Sequence, residues 1–529
     1  MSLSVGASYD EIPYEGFALY LMHPNHLAAL GRLYAMTPPE VENCRVLEVG
    51  CARGDNLIPM AFSLPRAQFV GIDVSPRQVA DGRAAIAELG LENIELHELS
   101  ILDVGSDFGR FDFIVAHGVF SWVSEEIQER LLRFCAEALT PHGLAYISYN
   151  THPGWHMGAM VRDMMFFHAR ELTGGRERVR ASRDLLRILS RALLKGESPY
   201  ARALREEADL ILSRPDSYLY HEYLEESNRP MYVHEFVARA GAAGLYYVAE
   251  AKFGNMAAAQ PPELLRPFGD SADWLAREQY YDYLKGQSFR QAVLCREGVA
   301  CSRAPTATGL MSLRIAALVR PAPAGSTPSP DGAEEFRNFH GDFALSTNDP
   351  VIGTALRILA ETWPRSLPFE ALWSQVQDRL AGRAAGPDHA RPSRPAASPS
   401  QLAETLLAAA ANDYVEVQVL EPEFATAIGE FPCASPIARR QVAAGPRVAN
   451  LRHRMITLMD FDQFILPRLD GHRDRSALLA ELQTAVQDGV FTIQAQGRPI
   501  TDPAETEPLL ARQLEESLRR FAVAALLVG

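Results

Sequence analysis

The segment from residue 44 to 150 constrains the fold most, because short apolar runs alternate there with helix-forming stretches. The apolar runs have the length of buried strands and lie at 44–50, 67–74, 93–99, 111–118 and 144–150. Residues 75–90 begin with Ser75 as a cap and Pro76 in the first turn and end at Gly90, as a helix does. Residues 124–139 show a second helical pattern. Apolar strands separated by helices indicate an α/β fold with a doubly wound parallel sheet covered on both faces.

The remainder of the chain predicts additional modules around this sheet. Residues 156–227 are helix-forming and highly charged, which favours an insertion or a homodimerisation arm. Two later runs could complete the same sheet, at 244–251 and 289–297. Two segments rich in Pro, Gly, Ser and Ala predict flexible linkers, at 321–332 and 382–401. The patterns that remain predict winged-helix-like α+β modules, with helical segments at 353–363, 369–380 and 400–419 and a hairpin candidate at 489–500.

A chain of 529 residues is too long for one hydrophobic core, so we expect several domains. The division that we predict is a core domain at 1–155, a helical insertion at 156–243, remaining core strands at 244–302, a middle winged-helix-like domain at 333–432 and a C-terminal domain at 433–529.

Composition narrows the classes of function. The net charge of −15, from 51 basic and 66 acidic residues, disfavours general nucleic-acid binding and attachment to membrane surfaces. The N-terminus lacks a basic segment followed by an apolar run, and we find no apolar run of about 18 residues, which predicts neither a signal peptide nor a membrane span. The 6 cysteines are scattered without a CxxC pair, which indicates free thiols and a cytoplasmic location.

The turn after the first strand is the strongest candidate for ligand binding. It reads Glu48-Val49-Gly50-Cys51-Ala52-Arg53-Gly54-Asp55-Asn56. Its glycines allow a ligand to approach the backbone, and the helix that follows favours a negative group such as an amino-acid carboxylate. The spacing differs from the GxGxxG of dinucleotide enzymes. Asp73 ends the second strand, where a carboxylate suits the two hydroxyls of a ribose.

Together these features resemble the class I S-adenosylmethionine-dependent methyltransferases. The resemblance implies a Rossmann-like core in which the turn holds the methionine part of the cofactor and Asp73 holds the ribose. Many members place an Asp against the adenine amino group after strand three, where this chain has Ser100, with Asp103 as an alternative. The cofactor-binding residues that we predict are Tyr14, Glu48, Gly50, Cys51, Gly54, Asn56, Asp73, Val74, Ser100, Ile101 and His117.

Other segments are similar to one bacterial branch, the methyltransferases with a regulatory domain, which includes rickettsial-type protein-lysine methyltransferases that modify outer-membrane proteins. They are 8–17, 23–34, 116–123, 148–155, 218–237, 289–295, 434–455 and 469–475. Leu21 and Met22 depart from the polar residues expected before His23. The resemblance implies methyl transfer to the lysine nitrogen of a protein or peptide substrate, which the acidic net charge would attract.

A lysine with a pKa of about 10.4 must lose its proton before it can accept a methyl group. Residues after strands four and five face the ligand crevice, which nominates His117, Tyr149, Asn150 and Trp155 as catalytic, with Phe120 and Trp122 beside them. His117 could shuttle a proton or contact the cofactor through its backbone. Asn150 could orient the acceptor or form a turn, Trp155 could be a lid or a core anchor, and Tyr14 could close over the cofactor or be a turn residue.

Two further features leave alternatives open. His221-Glu222 and His234-Glu235 lack the HExxH spacing, so we predict no metal and expect a structural role, or a place in the acceptor pocket. A basic cluster at 439–454 could bind DNA through a winged helix, or could be a solvated face or an intramolecular partner for acidic helices. The rival functions are therefore a methyltransferase of secondary metabolism that acts on a small molecule or peptide, and a cofactor-sensing regulator that binds DNA.

Overall fold

The computed structural model describes residues 11–12, 16–193, 196, 198–260, 262–268, 273–322, 333–338, 344–384, 398–495, 498–500 and 502–528. Most of the two predicted linkers, and Tyr14, therefore lie outside the described residues.

The largest sheet in the described part of the chain has seven strands in the order β3-β2-β1-β4-β5-β7-β6. The strands are β1 (Arg45–Val49), β2 (Gln68–Asp73), β3 (Ile94–Glu98), β4 (Phe111–Ala116), β5 (Leu139–Asn150), β6 (Leu245–Glu250) and β7 (Phe289–Arg296). The first five strands pair in parallel, as the sequence predicts. The two later runs do complete the sheet, but β7 is antiparallel to both of its neighbours, so the sheet is not wholly parallel.

Helices cover this sheet, and further helices form the predicted insertion. They are α1 (Pro24–Leu33), α2 (Leu57–Ser63), α3 (Pro76–Leu89), α4 (Glu125–Ala138), α5 (Trp155–His168), α6 (Gly175–Ala192), α7 (Pro199–Leu212), α8 (Asp216–Leu219), α9 (Val233–Ala242), α10 (Pro262–Leu265) and α11 (Trp274–Lys285). The α3 boundaries arise as expected, because the Ser75 hydroxyl accepts a hydrogen bond from the Gln78 amide at 3.2 Å and Gly90 ends the helix with φ +65°.

The helical insertion has an apolar core of its own, built from Trp155, Val161, Met165, Leu186 and Tyr223 among others. A π-helix at Tyr220–Leu224 follows α8, and its residues reach the carboxyl ends of the sheet strands. The insertion therefore forms one side of the crevice above the sheet.

The part of the chain from residue 307 onward forms two smaller α+β modules. The first contains α12 (Ala307–Met311), β8 (Arg314–Ala317), β9 (Val319–Pro321), β10 (Glu334–Asn338), β11 (Ala344–Thr347), α13 (Pro350–Thr362), β12 (Leu367–Pro368), α14 (Phe369–Ala384), α15 (Pro399–Ala411) and β13 (Val415–Gln418). The second contains α16 (Pro436–Gln441), β14 (Arg447–Ala449), β15 (Met455–Thr457), α17 (Asp460–Ile465), α18 (Arg475–Gln487), β16 (Ile493–Ala495), β17 (Arg498–Ile500) and α19 (Pro503–Val523). The last two strands pair where the hairpin was predicted.

The basic cluster contributes to packing between these modules. Arg452 is 4% exposed, and both Arg452 and Arg454 pair with Glu416 on β13, at 3.1 and 3.2 Å. Arg440 pairs with Glu88 of the core at 2.9 Å. These contacts favour the hypothesis that the basic cluster pairs with acidic residues of the same chain over the hypothesis that it binds DNA. None of the helices that the structure describes combines the length and the apolar character needed to cross a membrane.

Candidate active site

The turn after β1 is held in a conformation that favours glycine. Gly50, Ala52 and Gly54 have φ values of +73°, +49° and +77°. A Cβ on Gly50 would lie 2.5 Å from a methyl carbon of Val119, so any larger residue would collide. The Ala52 amide donates to Asp73 Oδ2 at 2.8 Å, which supports the left-handed backbone of a non-glycine residue. The turn is therefore fixed against the end of β2.

A cavity of about 240 Å³ opens above this turn at the carboxyl ends of β1, β2 and β4. Six of the predicted cofactor residues line it: Gly50, Asp73, Val74, Ser100, Ile101 and His117. Val74 is 43% exposed at the cavity, so an aromatic ligand bound there could pack against its side chain. Cys51 and Gly54 lie in the turn itself, and the Cys51 side chain packs inward. The local sequence signals thus converge on one cavity.

Glu48 and Asn56 form a buried pair beneath the turn. Asn56 Nδ2 donates to Glu48 Oε1 at 3.2 Å, while Glu48 Oε2 is buried without a hydrogen-bond partner among the described residues. Burial raises the pKa of Glu48 to about 8. An unpartnered buried carboxyl oxygen costs about 1–3 kcal/mol, and an ammonium donor would satisfy it and lower the pKa of the carboxyl. These residues fit the amino group of a methionine moiety.

The C-terminal module reaches the same pair. His453 Nε2 lies 2.8 Å from Asn56 Oδ1, which also accepts the Leu19 amide at 3.1 Å. Burial lowers the pKa of His453 well below its usual range, so the imidazole is neutral and donates from Nε2. Its backbone has φ +57°, in the left-handed region that non-glycine residues rarely adopt and in which histidine is among the enriched residues. No local sequence signal connects position 453 with position 56.

His117 stands at the carboxyl end of β4 with aromatic neighbours. Its Nδ1 lies 2.9 Å from the Tyr146 hydroxyl, and the rings of Phe17 and Phe289 meet it edge-on at 6.2 and 5.8 Å. Burial lowers the pKa of His117 to about 4. The imidazole is therefore neutral near pH 7 and a weak base.

The other catalytic candidates do not line the cavity. Tyr149 stacks on Phe236 at 4.1 Å between centroids, on the sheet face opposite to Tyr146, because side chains alternate along β5. Asn150 donates from Nδ2 to Asn228 Oδ1 at 3.1 Å. The rings of Trp155 and Trp122 meet edge-on with their centroids 6.4 Å apart, and of the two only Trp122 lines the cavity.

Residues remote in sequence complete the cavity wall. His221, Glu222 and Phe289 line it from the insertion and from β7. His221 is engaged by Glu225 at 3.0 Å and by the Ile12 carbonyl at 2.6 Å. Glu222 has no side-chain hydrogen bond within the described residues, and burial raises its pKa to about 7. His234, by contrast, bonds Gln279 at 2.7 Å away from the cavity.

Three family models match the chain. They are described as a methyltransferase domain, over residues 47–145, a predicted methyltransferase regulatory domain, over 215–296, and a PKMT C-terminal winged helix domain, over 430–526. The cavity and these matches define a class I S-adenosylmethionine-dependent methyltransferase. The chain belongs to the branch of that family that carries a regulatory domain and a PKMT winged helix, which confirms the predicted family and activity class. His221, Glu222 and Phe289 all fall in the regulatory-domain match.

Relatives extend over the whole chain. It is 31% identical over 527 residues to the uncharacterized protein RP789 of Rickettsia prowazekii, covering 98% of this chain and 93% of the relative. A second protein of that organism, RP028, is 41% identical over 233 residues, which cover 44% of this chain and 93% of the relative. The structure of PKMT2 from Rickettsia typhi in complex with AdoHcy matches with a TM-score of 0.85 and 28% identity, covering 98% of this chain and 100% of that one.

Proposed function

We propose that the chain methylates lysine side chains of a protein substrate. The observation that carries the proposal is the likeness to PKMT2, a protein-lysine methyltransferase by its name, over 98% of the chain and including both C-terminal modules. The site supports it, because the cavity combines an aromatic wall at Trp122 and Phe289 with a carboxylate at Glu222. Aromatic faces and a carboxylate both attract an ammonium group, each aromatic contact by about 0.5–2 kcal/mol.

We assign the cofactor to the cavity above the turn. In this assignment Glu48 Oε2 accepts the cofactor's amino group, the turn backbone at Gly50, Cys51 and Gly54 faces its carboxylate, and Asp73 accepts the ribose hydroxyls. Val74 and Ile101 flank the adenine beside Ser100. When bound, S-adenosylmethionine supplies a methyl carbon whose bond to sulfur breaks as the bond to nitrogen forms, with the electron pair staying on sulfur. Tyr14 stays a prediction.

The predicted catalytic residues receive different parts in this proposal. His117, neutral and walled by rings, shapes the cavity and excludes water rather than moving a proton. Trp155 supports Trp122 from behind, and Asn150 holds the Asn228 loop. Tyr149 receives no role in the reaction, because its ring is buried against Phe236. A cytoplasmic location fits the six unpaired cysteines of the chain, and a homodimer through the insertion stays a prediction.

The proposal is tested by S-adenosylhomocysteine release on a panel of bacterial outer-membrane proteins and lysine-rich peptides. We expect release together with a mass shift that maps to lysine, and neither in a cofactor-binding variant such as Asp73→Asn. Cofactor binding without modification of any protein would instead support a small-molecule acceptor.

The His453 contact gives a second prediction. His453→Ala should weaken S-adenosylhomocysteine binding by up to about tenfold, because a buried hydrogen bond of about 0.5–1.5 kcal/mol that orients Asn56, and through it Glu48, is lost. Calorimetric titration measures the dissociation constant. His453→Asn tolerates the left-handed backbone but is too short to reach Asn56, and should show the same loss of affinity with a smaller loss of stability. His472→Ala, exposed in the same module, is the control, and equal affinities in all variants would contradict the prediction.

A further inference from the structure

We propose that Glu222 binds the ammonium group of the acceptor and takes its proton. This inference rests on the proposed function, since it deepens the account of the same site. Glu222 belongs to the π-helix that follows α8, and its side chain lines the cavity together with Asp73 and His117. Single π-helical turns occur frequently at functional sites.

The neighbours of Glu222 hold it in place. His221, one residue before, contacts Glu225 and the Ile12 carbonyl, and Tyr223, one residue after, donates to Glu207 at 3.0 Å. The rings of Trp155 and Tyr223 stack at 5.8 Å behind Trp122. The flanking side chains are thus engaged by other residues, whereas Glu222 lines the cavity without a side-chain hydrogen bond among the described residues.

The charge around Glu222 favours a cation. No Lys or Arg is among the described residues that line the cavity. The titratable groups that share the cavity with Glu222 are Asp73, His117 and His221. Tyr218 and Tyr223 lie near Glu222 on adjoining turns of its own helical segment. Asp73 already accepts the amides of Ala52 and Ser75, at 2.8 and 2.9 Å. A primary ammonium therefore supplies the positive partner that the Glu222 carboxylate lacks among the described residues.

The acid–base properties separate Glu222 from His117. Burial raises the pKa of Glu222 to about 7 and lowers that of His117 to about 4. The stronger base is the better proton acceptor from an ammonium near neutral pH. In the step, one N–H bond breaks and one O–H bond forms on Glu222, which leaves the electron pair on the nitrogen. Both partners become neutral, which a buried site favours, and the proton later leaves to water at the cavity mouth.

The first test measures binding and needs no turnover. The probes are n-butylamine, which has the terminal chain of lysine, and n-butanol, which has the same length without the charge, titrated calorimetrically with S-adenosylhomocysteine present. We expect wild type to prefer the amine by about tenfold or more, and Glu222→Gln to lose that preference. Glu226→Gln, at an exposed acid four residues on, should keep it. A preference that survives in Glu222→Gln overturns the proposal.

The second test uses the pH dependence of turnover on the protein or peptide that wild type modifies. Wild type should lose kcat/KM as pH falls through about 7, because protonated Glu222 cannot accept a proton. Glu222→Gln should lower kcat by about a hundredfold or more and abolish this limb, and Glu222→Asp should restore part of both. An unchanged limb in Glu222→Gln overturns the proposal. If no protein is modified, the proposed substrate class fails, and the butylamine comparison still decides the role of Glu222.

Discussion

Replacing Asp73 with Asn should lower the affinity for S-adenosylhomocysteine by about a hundredfold or more. The Asp73 carboxylate lines the cavity and holds the turn after β1 through the Ala52 amide at 2.8 Å. A hydrogen bond to a charged acceptor contributes about 1.5–3 kcal/mol, so losing two from a ribose removes about 3 kcal/mol or more. The side chain of the introduced Asn also has only one acceptor oxygen, whereas the two oxygens of Asp73 accept the backbone amides of Ala52 and Ser75. Calorimetric titration measures the change.

Glu98→Asn is the matched control for Asp73. Glu98 pairs in register with Asp73 on the neighbouring strand β3, is exposed, and does not line the cavity. It therefore carries the same charge at the same edge of the sheet without contact to the cofactor. We expect its affinity to equal that of wild type. A similar loss in both variants would indicate a general effect of charge at this edge, and full affinity in Asp73→Asn would remove Asp73 from the cofactor site.

The parts of the site that the sequence predicts are those built from one strand-turn-helix unit. Gly50, Gly54 and Asp73 carry local signals, because a left-handed turn needs glycine and the end of a parallel strand always faces the crevice. The five parallel strands were likewise predictable, since each is a short apolar run between helices. A residue or strand can therefore be predicted from the sequence when neighbouring residues in the chain determine its conformation.

The parts that the sequence does not predict depend on tertiary contacts. Phe289 and His453 reach the site from elements far along the chain, so no spacing marks them. For Glu222 the sequence leaves a place in the acceptor pocket open as one alternative, and the fold decides between the two. The sequence does not show on which face of the sheet Tyr149 lies, because β5 is buried on both sides and its apolar run shows no alternation of polarity. Arg452 is a cation in sequence and a buried ion-pair partner in the fold, a distinction that charge patterning alone does not make.

A second large effect is expected at Arg290, beside the wall residue Phe289. Arg290 is 1% exposed, and its guanidinium contacts Glu250 at 3.0 Å, Glu278 at 3.1 Å and Asp282 at 2.7 Å. Three buried carboxylates thus share one cation. Burial outweighs that cation, so the pKa of Asp282 is raised to about 6 and that of Glu278 is raised as well. The cluster fixes β7, whose Gln291 donates to the Tyr146 hydroxyl that contacts His117.

Arg290→Met should destabilise the fold by about 3–5 kcal/mol near neutral pH, because it leaves buried carboxylates uncompensated. A carboxyl group whose folded pKa lies above its unfolded value adds stability at low pH and loses it as pH rises through the folded pKa. Without Arg290 these pKa values should rise further, so the deficit relative to wild type should shrink as pH falls from about 8 to about 5. Urea denaturation followed by fluorescence measures the midpoint at each pH.

Arg379→Met, which breaks the exposed pair with Glu361 at 2.6 Å, should cost under about 1 kcal/mol. Equal costs for the two variants, or a deficit in Arg290→Met that does not change with pH, would show that the cluster does not stabilise the sheet in this way.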